Sequence, residues 1–398
     1  MKTLGIKRPT QFRKILVVCM FDSIHSARWL AQFAGDTNFK ICLFPSKKFK
    51  RINPSLIDLL KNTHNIQIAK FYFWVPKFLL GYYTYFRFSL ISKIFVRYEY
   101  GFRKNSLTKT YLSELPDVVH ALEIQGAGYL VCEALKGLNK PEKLILTNWG
   151  SDIYYYLEDA SEKAMIKECL EIFKYYSAEC QRDYELALNL GFQGHMLPRI
   201  PNGGGIEKSK FFEIANLCSE RDLVVVKAYG NEFGLGKIAV SICTNVLVSL
   251  PEPKFFFYSV TKDIEPILKA LVKRFPGRVE YATVRNSLRH EDLLKKFKTA
   301  RCYLGMSRSD GISTSFLESL AYGAFPIQTD TSCAAEWIDL GAIGFITSSH
   351  KVTEIVEKIQ EIFSSDDLVD NAQSQNRQIA EKYLDFELIQ DKAKLFYS

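Results

Sequence analysis

Ser307-Arg308-Ser309-Asp310-Gly311-Ile312-Ser313-Thr314-Ser315-Phe316-Leu317-Glu318-Ser319-Leu320-Ala321-Tyr322-Gly323 is the stretch on which the reading of the chain turns. Just before it, Arg301 to Met306 is a short apolar run, which predicts a buried strand. Asp310-Gly311 breaks that strand. Ser313, Thr314 and Ser315 are good N-cap residues, and Phe316, Leu317, Leu320 and Ala321 follow at helical spacing. Gly323 stands where a left-handed C-cap is expected. Ala324 to Thr329 then reads as the next strand, with Pro326 an uncommon residue inside one. The unit is strand, glycine-containing turn, helix, strand.

That geometry suggests chemistry. Free backbone N–H groups at a helix start, with the helix dipole, make an anion site. Here the turn is lined by hydroxyls and carries no Lys or Arg after Arg308. Asp310 lies just outside the helix and Glu318 more than one turn inside it. Two carboxylates bracketing a phosphate site suit a ligand with hydroxyls on both sides of its phosphates, as a nucleotide sugar has. The same residues admit a plainer reading: Ser315-x-x-Glu318 is also a capping box, in which Glu318 only satisfies a backbone N–H.

Asp310-x7-Glu318, followed by Ser-Leu-Ala-Tyr-Gly-Ala-Phe-Pro-Ile and by Ala335-Glu336-Trp337-Ile338, resembles the E-x7-E region of the retaining family 4 glycosyltransferases, in particular those of bacterial surface-polysaccharide biosynthesis. The first acid here is Asp where that family usually has Glu, one methylene longer. The resemblance implies the GT-B fold: α/β, two Rossmann-like domains facing a central cleft. It implies that Asp310 contacts the donor sugar, that Gly311, Ile312, Ser313 and Thr314 offer backbone N–H groups to the diphosphate, and that Glu318 holds the ribose hydroxyls.

Composition sets the outer bounds. The chain has 398 residues, enough for two domains with their own cores. Its 47% hydrophobic and 24% charged content fits a globular protein. Nine cysteines are scattered without a C-x-x-C pair, and Cys19, Cys42 and Cys302 sit inside apolar runs, as buried thiols do. A reduced, cytoplasmic protein is expected. Met1 to Arg13 lacks the apolar core of a signal peptide, and no apolar run is long enough to span a bilayer. The net charge of +8 favours an anionic partner, either a membrane surface or nucleic acid.

Taken in order, Lys14 to Phe21 predicts a buried parallel strand, and Asp22 to Trp29 turns into a helix. Lys40 to Ser46 is a second strand, so the start is doubly wound α/β. The first turn lacks G-x-G-x-x-G, which argues against a dinucleotide site. His25-Ser26-x-Arg28-Trp29 resembles the first turn of the family, while His25 alone could be a capping or surface residue. Asp117 to Glu123 and Lys143 to Thr147 are further strands. His120, Glu123 and Trp149 to Asp152 fall at their carboxyl ends, where open α/β sheets bind ligands. His120 and Glu123 are therefore candidates for catalysis beside Asp310. His25, Trp149 and Asp152 are candidates for the acceptor side. Trp149-Gly150-Ser151-Asp152-Ile153 also resembles a family motif. Tyr175 to Cys180 reads as another strand.

Pro201-Asn202-Gly203-Gly204-Gly205 is the clearest linker signal. It divides the chain into an N-terminal domain, 1–205, and a nucleotide-sugar-binding domain, 206–380. A terminal helix, 381–398, is expected to cross back. Leu223 to Val226 opens the second domain and leads to a Gly-rich turn ending in Gly236-Lys237. Spacing from Gly230 and the following Ile238 exclude a P-loop. Because the family places basic residues against the diphosphate here, Lys227 and Lys237 are the donor-site candidates. Lys254 to Val260, Val279 to Val284 and Gly344 to Thr347 are the remaining strands. No His/Cys/Asp cluster has metal-ligand spacing, so no metal and no cofactor are expected.

Residues 68–104 stand apart. They hold fourteen aromatic residues and seven basic ones against the single acid Glu99. Such a segment suits peripheral contact with an anionic bilayer, an aromatic core helix pair with a solvated basic face, or single-stranded nucleic acid. Nucleic acid ranks below the other two and is not the expected partner. The resemblance implies a glycosyltransferase that moves a sugar, with retention, from a nucleotide-sugar donor to a lipid-linked or polysaccharide acceptor, and residues 68–104 then imply peripheral attachment to the inner face of the cell membrane. A nucleotide-sugar epimerase of the same fold and a non-catalytic nucleotide-sugar-binding protein are the alternatives.

Overall fold

A computed structural model describes residues 12–49, 51–70, 92–211 and 216–398. The chain forms two compact units. The first comprises Met1–Glu179, Asp183–Gly204 and Gln390–Ser398, and the second comprises Cys180–Arg182 and Gly205–Ile389.

In the first unit the elements run β1 (Arg13–Cys19), α1 (Ile24–Ala31), β2 (Phe39–Pro45), α2 (Pro54–Asn62), β3 (Ile66–Ile68), α3 (Ser92–Glu114), β4 (Val118–Leu122), α4 (Tyr129–Ala134), β5 (Lys143–Thr147), α5 (Ala160–Ile172), β6 (Tyr175–Ser177), α6 (Gln181–Asn189, whose first two residues belong to the second unit) and β7 (His195–Met196). The strands form one sheet in the order β3-β2-β1-β4-β5-β6-β7, with every pairing parallel. Val118 to Leu122 is buried at every position, as a strand covered by helices on both faces must be.

The second unit contains α7 (Lys208–Phe211), β8 (Leu223–Lys227), α8 (Gly236–Ser249), β9 (Lys254–Val260), α9 (Glu265–Arg274), β10 (Val279–Thr283), α10 (His290–Lys298), β11 (Ala300–Gly305), α11 (Thr314–Ala321), β12 (Phe325–Thr329), α12 (Ala335–Asp339), β13 (Phe345–Thr347), α13 (Val352–Ser364) and α14 (Asp366–Leu384). The last helix, α15 (Phe386–Tyr397), starts in this unit, and its residues from Gln390 onward belong to the first. The second sheet runs β10-β9-β8-β11-β12-β13, again all parallel. Its order reverses between β8 and β11. Gly323 ends α11 with φ +72°, a left-handed conformation that costs Gly nothing.

Two expectations shift. The strand read as Tyr175 to Cys180 ends at Ser177. Cys180 leaves that sheet and is buried with Phe316, Leu317 and Cys333 in a core of the second unit. The short strands β3 and β7, three and two residues long, have no pattern long enough to read. Of the aromatic, basic segment 68–104, residues 71–91 lie outside the described residues. Within the rest, Arg103 is buried and donates to the Ser46 carbonyl at 2.7 Å, and Lys104 pairs with Glu133 at 3.0 Å. Among the described residues no helix is long and apolar enough to cross a membrane.

Candidate functional site

The carboxyl ends of β8 and β11 flank the point where the second sheet reverses its order. Open parallel sheets bind ligands in that crevice, because the two chains leaving it turn to opposite faces. Lys227 is the last residue of β8 and pairs in register with Gly305, the last residue of β11. Beyond Gly305 the chain runs through Ser307 to Ser313 into α11. The loop after β8 is stitched to this segment. Gly234 bridges Ser307, and the Arg308 N–H donates to the Phe233 carbonyl at 2.7 Å. The loop also folds tightly on itself, since a Cβ at Gly234 would meet the Tyr229 carbonyl at 2.0 Å.

Across this junction Lys227 Nζ lies 3.7 Å from Asp310 Oδ2 and 4.9 Å from the centre of the Tyr229 ring. Burial opposes the lysine charge. The oxygens of Tyr229 and Asp310 outweigh it and hold the Lys227 pKa above the usual lysine range. Lys227 is thus a fixed cation at the switch point. Lys237 sits in the first turn of α8, is exposed, and lies 3.9 Å from Asp263. It does not share the Asp310 contact.

The turn Gly311-Ile312-Ser313 is buried, and Ser313 is the N-cap of α11. Its side chain makes no capping bond. The first-turn amides of Thr314, Ser315 and Phe316 therefore have no acceptor within the helix. Because the cap falls at Ser313, Ser315 is the second helical residue and Glu318 the fifth, which removes the capping-box register. Ser315 Oγ accepts from the Tyr258 hydroxyl at 2.6 Å, and Glu318 Oε1 lies 2.6 Å from His290 Nε2. Next to this corner, a cavity of about 470 Å³ opens at the carboxyl ends of β8, β9 and β10. Gly230, Asn231, Thr261, Asp263, Val284 and Arg285 are among the residues that line it.

Three features of this site escape local sequence patterns. Arg182 reaches the turn from far away in sequence, donating to the Asp310 carbonyl at 2.9 Å and to the Thr331 carbonyl at 3.1 Å. His290 reads from sequence only as a helix start. The fold also gathers Cys180, Cys333 and Glu336, whose ligand atoms lie within 4.8 Å of one another. No spacing rule would have found that trio.

Three candidates of the first unit, His120, Glu123 and Asp152, hold structural contacts. His120 is fully buried. Its Nδ1 lies 2.8 Å from the Tyr397 hydroxyl and its Nε2 2.6 Å from Thr147 Oγ1, so both ring nitrogens are engaged. Trp29, Phe396 and Tyr397 pack their rings against it. Burial lowers its pKa to about 3. This neutral, enclosed imidazole joins β4 to α15 and does not suit proton transfer to a substrate. Glu123 accepts from the amides of Gly126 and Ala127 at 2.9 and 2.8 Å. With φ at +93°, an uncommon value for Glu, it closes the turn after β4. Asp152 accepts from the Ile124 and Trp149 amides, each at 2.9 Å. Burial raises the pKa of both carboxyls. Both tie loops at strand ends, and catalysis by Glu123 finds no geometric support. His25 is half-buried, and its ring lies 5.7 Å from that of Trp149, edge to face.

Residues 282–379 match the family model described as glycosyl transferases group 1. That span begins in β10 and takes in the turn, α11 and Glu318. Comparison with curated protein sequences finds no match. Among solved structures, the chain is similar to sucrose-phosphate synthase from Thermosynechococcus elongatus, with TM-score 0.69, 12% identity, and coverage of 97% of this chain and 98% of the other. It is similar to HepE from Anabaena in complex with UDP-glucose, with TM-score 0.68, 12% identity, and coverage of 96% and 98%. A glycosyltransferase from Rickettsia africae gives TM-score 0.64 and 13% identity, with coverage of 97% and 98%. With its two parallel-sheet α/β units, the chain has the GT-B fold, and it carries a glycosyl transferases group 1 domain over the matched residues.

Proposed function

We propose that this chain is a retaining glycosyltransferase that moves a sugar from a nucleotide-sugar donor to a lipid-linked or polysaccharide acceptor. One observation carries the reading. The segment matching the group 1 family model supplies the open first turn of α11 and both acids, and Lys227 stands opposite Asp310 at the switch point. In this reading the first-turn amides and Lys227 hold the donor diphosphate. Asp310 binds the sugar, and Glu318 binds the ribose hydroxyls. The cavity at the ends of β8, β9 and β10 takes the nucleoside.

The chemistry follows from charge. When the bond between the sugar C1 and the diphosphate oxygen breaks, negative charge grows on the leaving group. A fixed ammonium and oriented amides stabilise that charge without reorganising. Such a site needs no metal, and turnover in EDTA is expected. Lys237, in the first turn of α8, would add a second, more exposed cation. The acceptor side, with His25 and Trp149, belongs to the first unit. Contact of residues 68–104 with an anionic membrane surface would present a lipid-linked acceptor.

The test is a panel of nucleotide sugars screened by thermal shift, since a ligand bound only by the folded state raises the melting midpoint. UDP-sugars lead the panel because the HepE structure holds UDP-glucose. A stabilising donor is then assayed for transfer and for the anomeric configuration of the product, with and without EDTA. A chain stabilised by no nucleotide sugar is not this enzyme. Inversion would reject retention, and loss of turnover restored by Mg²⁺ would reject the metal-free site.

A further inference from the structure

We propose that Cys180 and Cys333 are a reversible disulfide site whose closure stiffens the turn carrying Asp310 and Gly311. Their sulfurs lie 2.7 Å apart, and both residues are buried, at 0% and 5% exposure. A disulfide bond is about 2.05 Å long, so the pair needs to close by only about 0.6 Å. Zinc is the rival, with Glu336 as a third ligand. Two thiolates on one tetrahedral zinc, each at about 2.3 Å, stand roughly 3.7 Å apart, so a metal would have to push these sulfurs open by about 1 Å. Glu336 is moreover already engaged by the Gln181 amide, at 2.8 Å.

The other close pair, Cys132 and Cys169, has its sulfurs 3.3 Å apart. That pair therefore has about twice as far to close to reach S–S bond length as Cys180 and Cys333 do.

A small hydroperoxide is the oxidant that suits a closed site, and hydrogen peroxide balances the reaction. One cysteine sulfur attacks a peroxide oxygen, the O–O bond breaks, and hydroxide leaves with the thiol proton as water, giving a sulfenic acid. The second sulfur then attacks the first, the S–O bond breaks, and the hydroxyl leaves with the second thiol proton as water. Two thiols are oxidised to one disulfide, and one peroxide is reduced to two waters.

One end of the link touches the turn directly, and the other lies two residues from a side chain that does. The Cys333 amide donates to the Gly311 carbonyl at 2.8 Å, and Arg182, two residues past Cys180, holds the Asp310 carbonyl at 2.9 Å. A covalent tie therefore fixes both supports of the turn at once. The cross-link is independent of the donor-site reading, whereas its use to regulate donor binding rests on it.

The experiment takes the reduced full-length chain with and without hydrogen peroxide. Each sample is denatured in N-ethylmaleimide, its intact mass is measured, and its peptides are mapped without reduction. Hydrogen exchange of the native protein is followed in parallel. The expected result is two fewer alkylated cysteines after peroxide, a peptide linking Cys180 to Cys333, and slower exchange across residues 307–316, all reversed by a thiol reductant. Cys180→Ser and Cys333→Ser should each lose the link and the exchange change. Nine alkylated cysteines after peroxide, as a zinc-bound or unreactive pair would give once denatured, or a link at Cys132 and Cys169 instead, would overturn the disulfide site. A link without slower exchange would overturn the stiffening.

Discussion

Oε1 of Glu318 lies 2.6 Å from Nε2 of His290. Glu318 is buried on α11, while His290 opens α10 with its side chain 40% exposed. This carboxylate is therefore held by a group that can swing toward solvent. A ribose hydroxyl could take over the same oxygen without leaving a buried charge stranded.

Glu318→Ala should weaken nucleotide-sugar binding by about 1.5–3 kcal/mol, the cost of losing a hydrogen bond to a charged group. His290→Ala should weaken it less, because the exposed imidazole only positions the carboxylate. Calorimetric titration of both variants measures the effect, with urea unfolding as the control. Should Glu318→Ala lose that much folding stability yet bind donor like the wild type, the residue is a structural anchor.

Lys227→Ala should lower kcat by about a hundredfold or more, as removal of one fixed stabiliser of developing charge does elsewhere. Fold stability should change little. Asp310 is about a quarter exposed, so water can solvate the carboxylate left behind. Lys227→Arg should recover part of the rate. Steady-state kinetics at saturating donor decide the matter, and an unchanged kcat would remove Lys227 from the chemistry.

The second unit was largely legible from residues 300–329. Uninterrupted apolar runs become buried parallel strands, and Asp310-Gly311 and Gly323 mark the two ends of the turn and helix. Where the reading failed, the reason is distance along the chain. His120 stands at a strand end, but Tyr397 arrives from the last residues of the chain to occupy its ring, and no local pattern announces that partner. Arg182 meets the Asp310 loop, and Cys180 meets Cys333, across more than a hundred residues of sequence. Glu123 has the composition of a catalytic acid, yet its positive φ turns its carboxylate back onto its own loop.

His120 supplies a pH test of the first unit. Its pKa is lowered to about 3 from an ordinary 6.5, so below pH 6.5 the unfolded chain binds a proton that the folded chain refuses. Stability from this group is complete above pH 6.5 and falls as the pH drops toward 3. Between pH 7 and pH 5 the loss should be about 2 kcal/mol. His120→Gln should be less stable at pH 7 and should lose less between those two values. Urea unfolding of both proteins at pH 7 and 5 checks this, and parallel losses would show that the ring is protonated in the fold.

The last prediction concerns the basic, aromatic residues 68–104. Trp, Tyr and Phe favour the headgroup boundary of a bilayer, and each Lys or Arg near an anionic surface is worth about 1 kcal/mol. Pro76, Gly81 and the many charges argue against a span. Arg103 and Lys104 are committed to Ser46 and Glu133, so the attraction should reside in Lys70, Lys77, Arg87, Lys93 and Arg97. Vesicle co-sedimentation should show binding to anionic but not neutral lipid, weakening as salt shortens the Debye length. Replacing Lys77, Arg87, Lys93 and Arg97 together with Ser should release most of the protein. Arg103→Ala should instead lower the melting midpoint and leave lipid binding alone, because its guanidinium faces a buried carbonyl. A wild type indifferent to lipid charge, or a quadruple variant that binds equally well, would make these residues ordinary packing and leave the acceptor free to be a polysaccharide in solution.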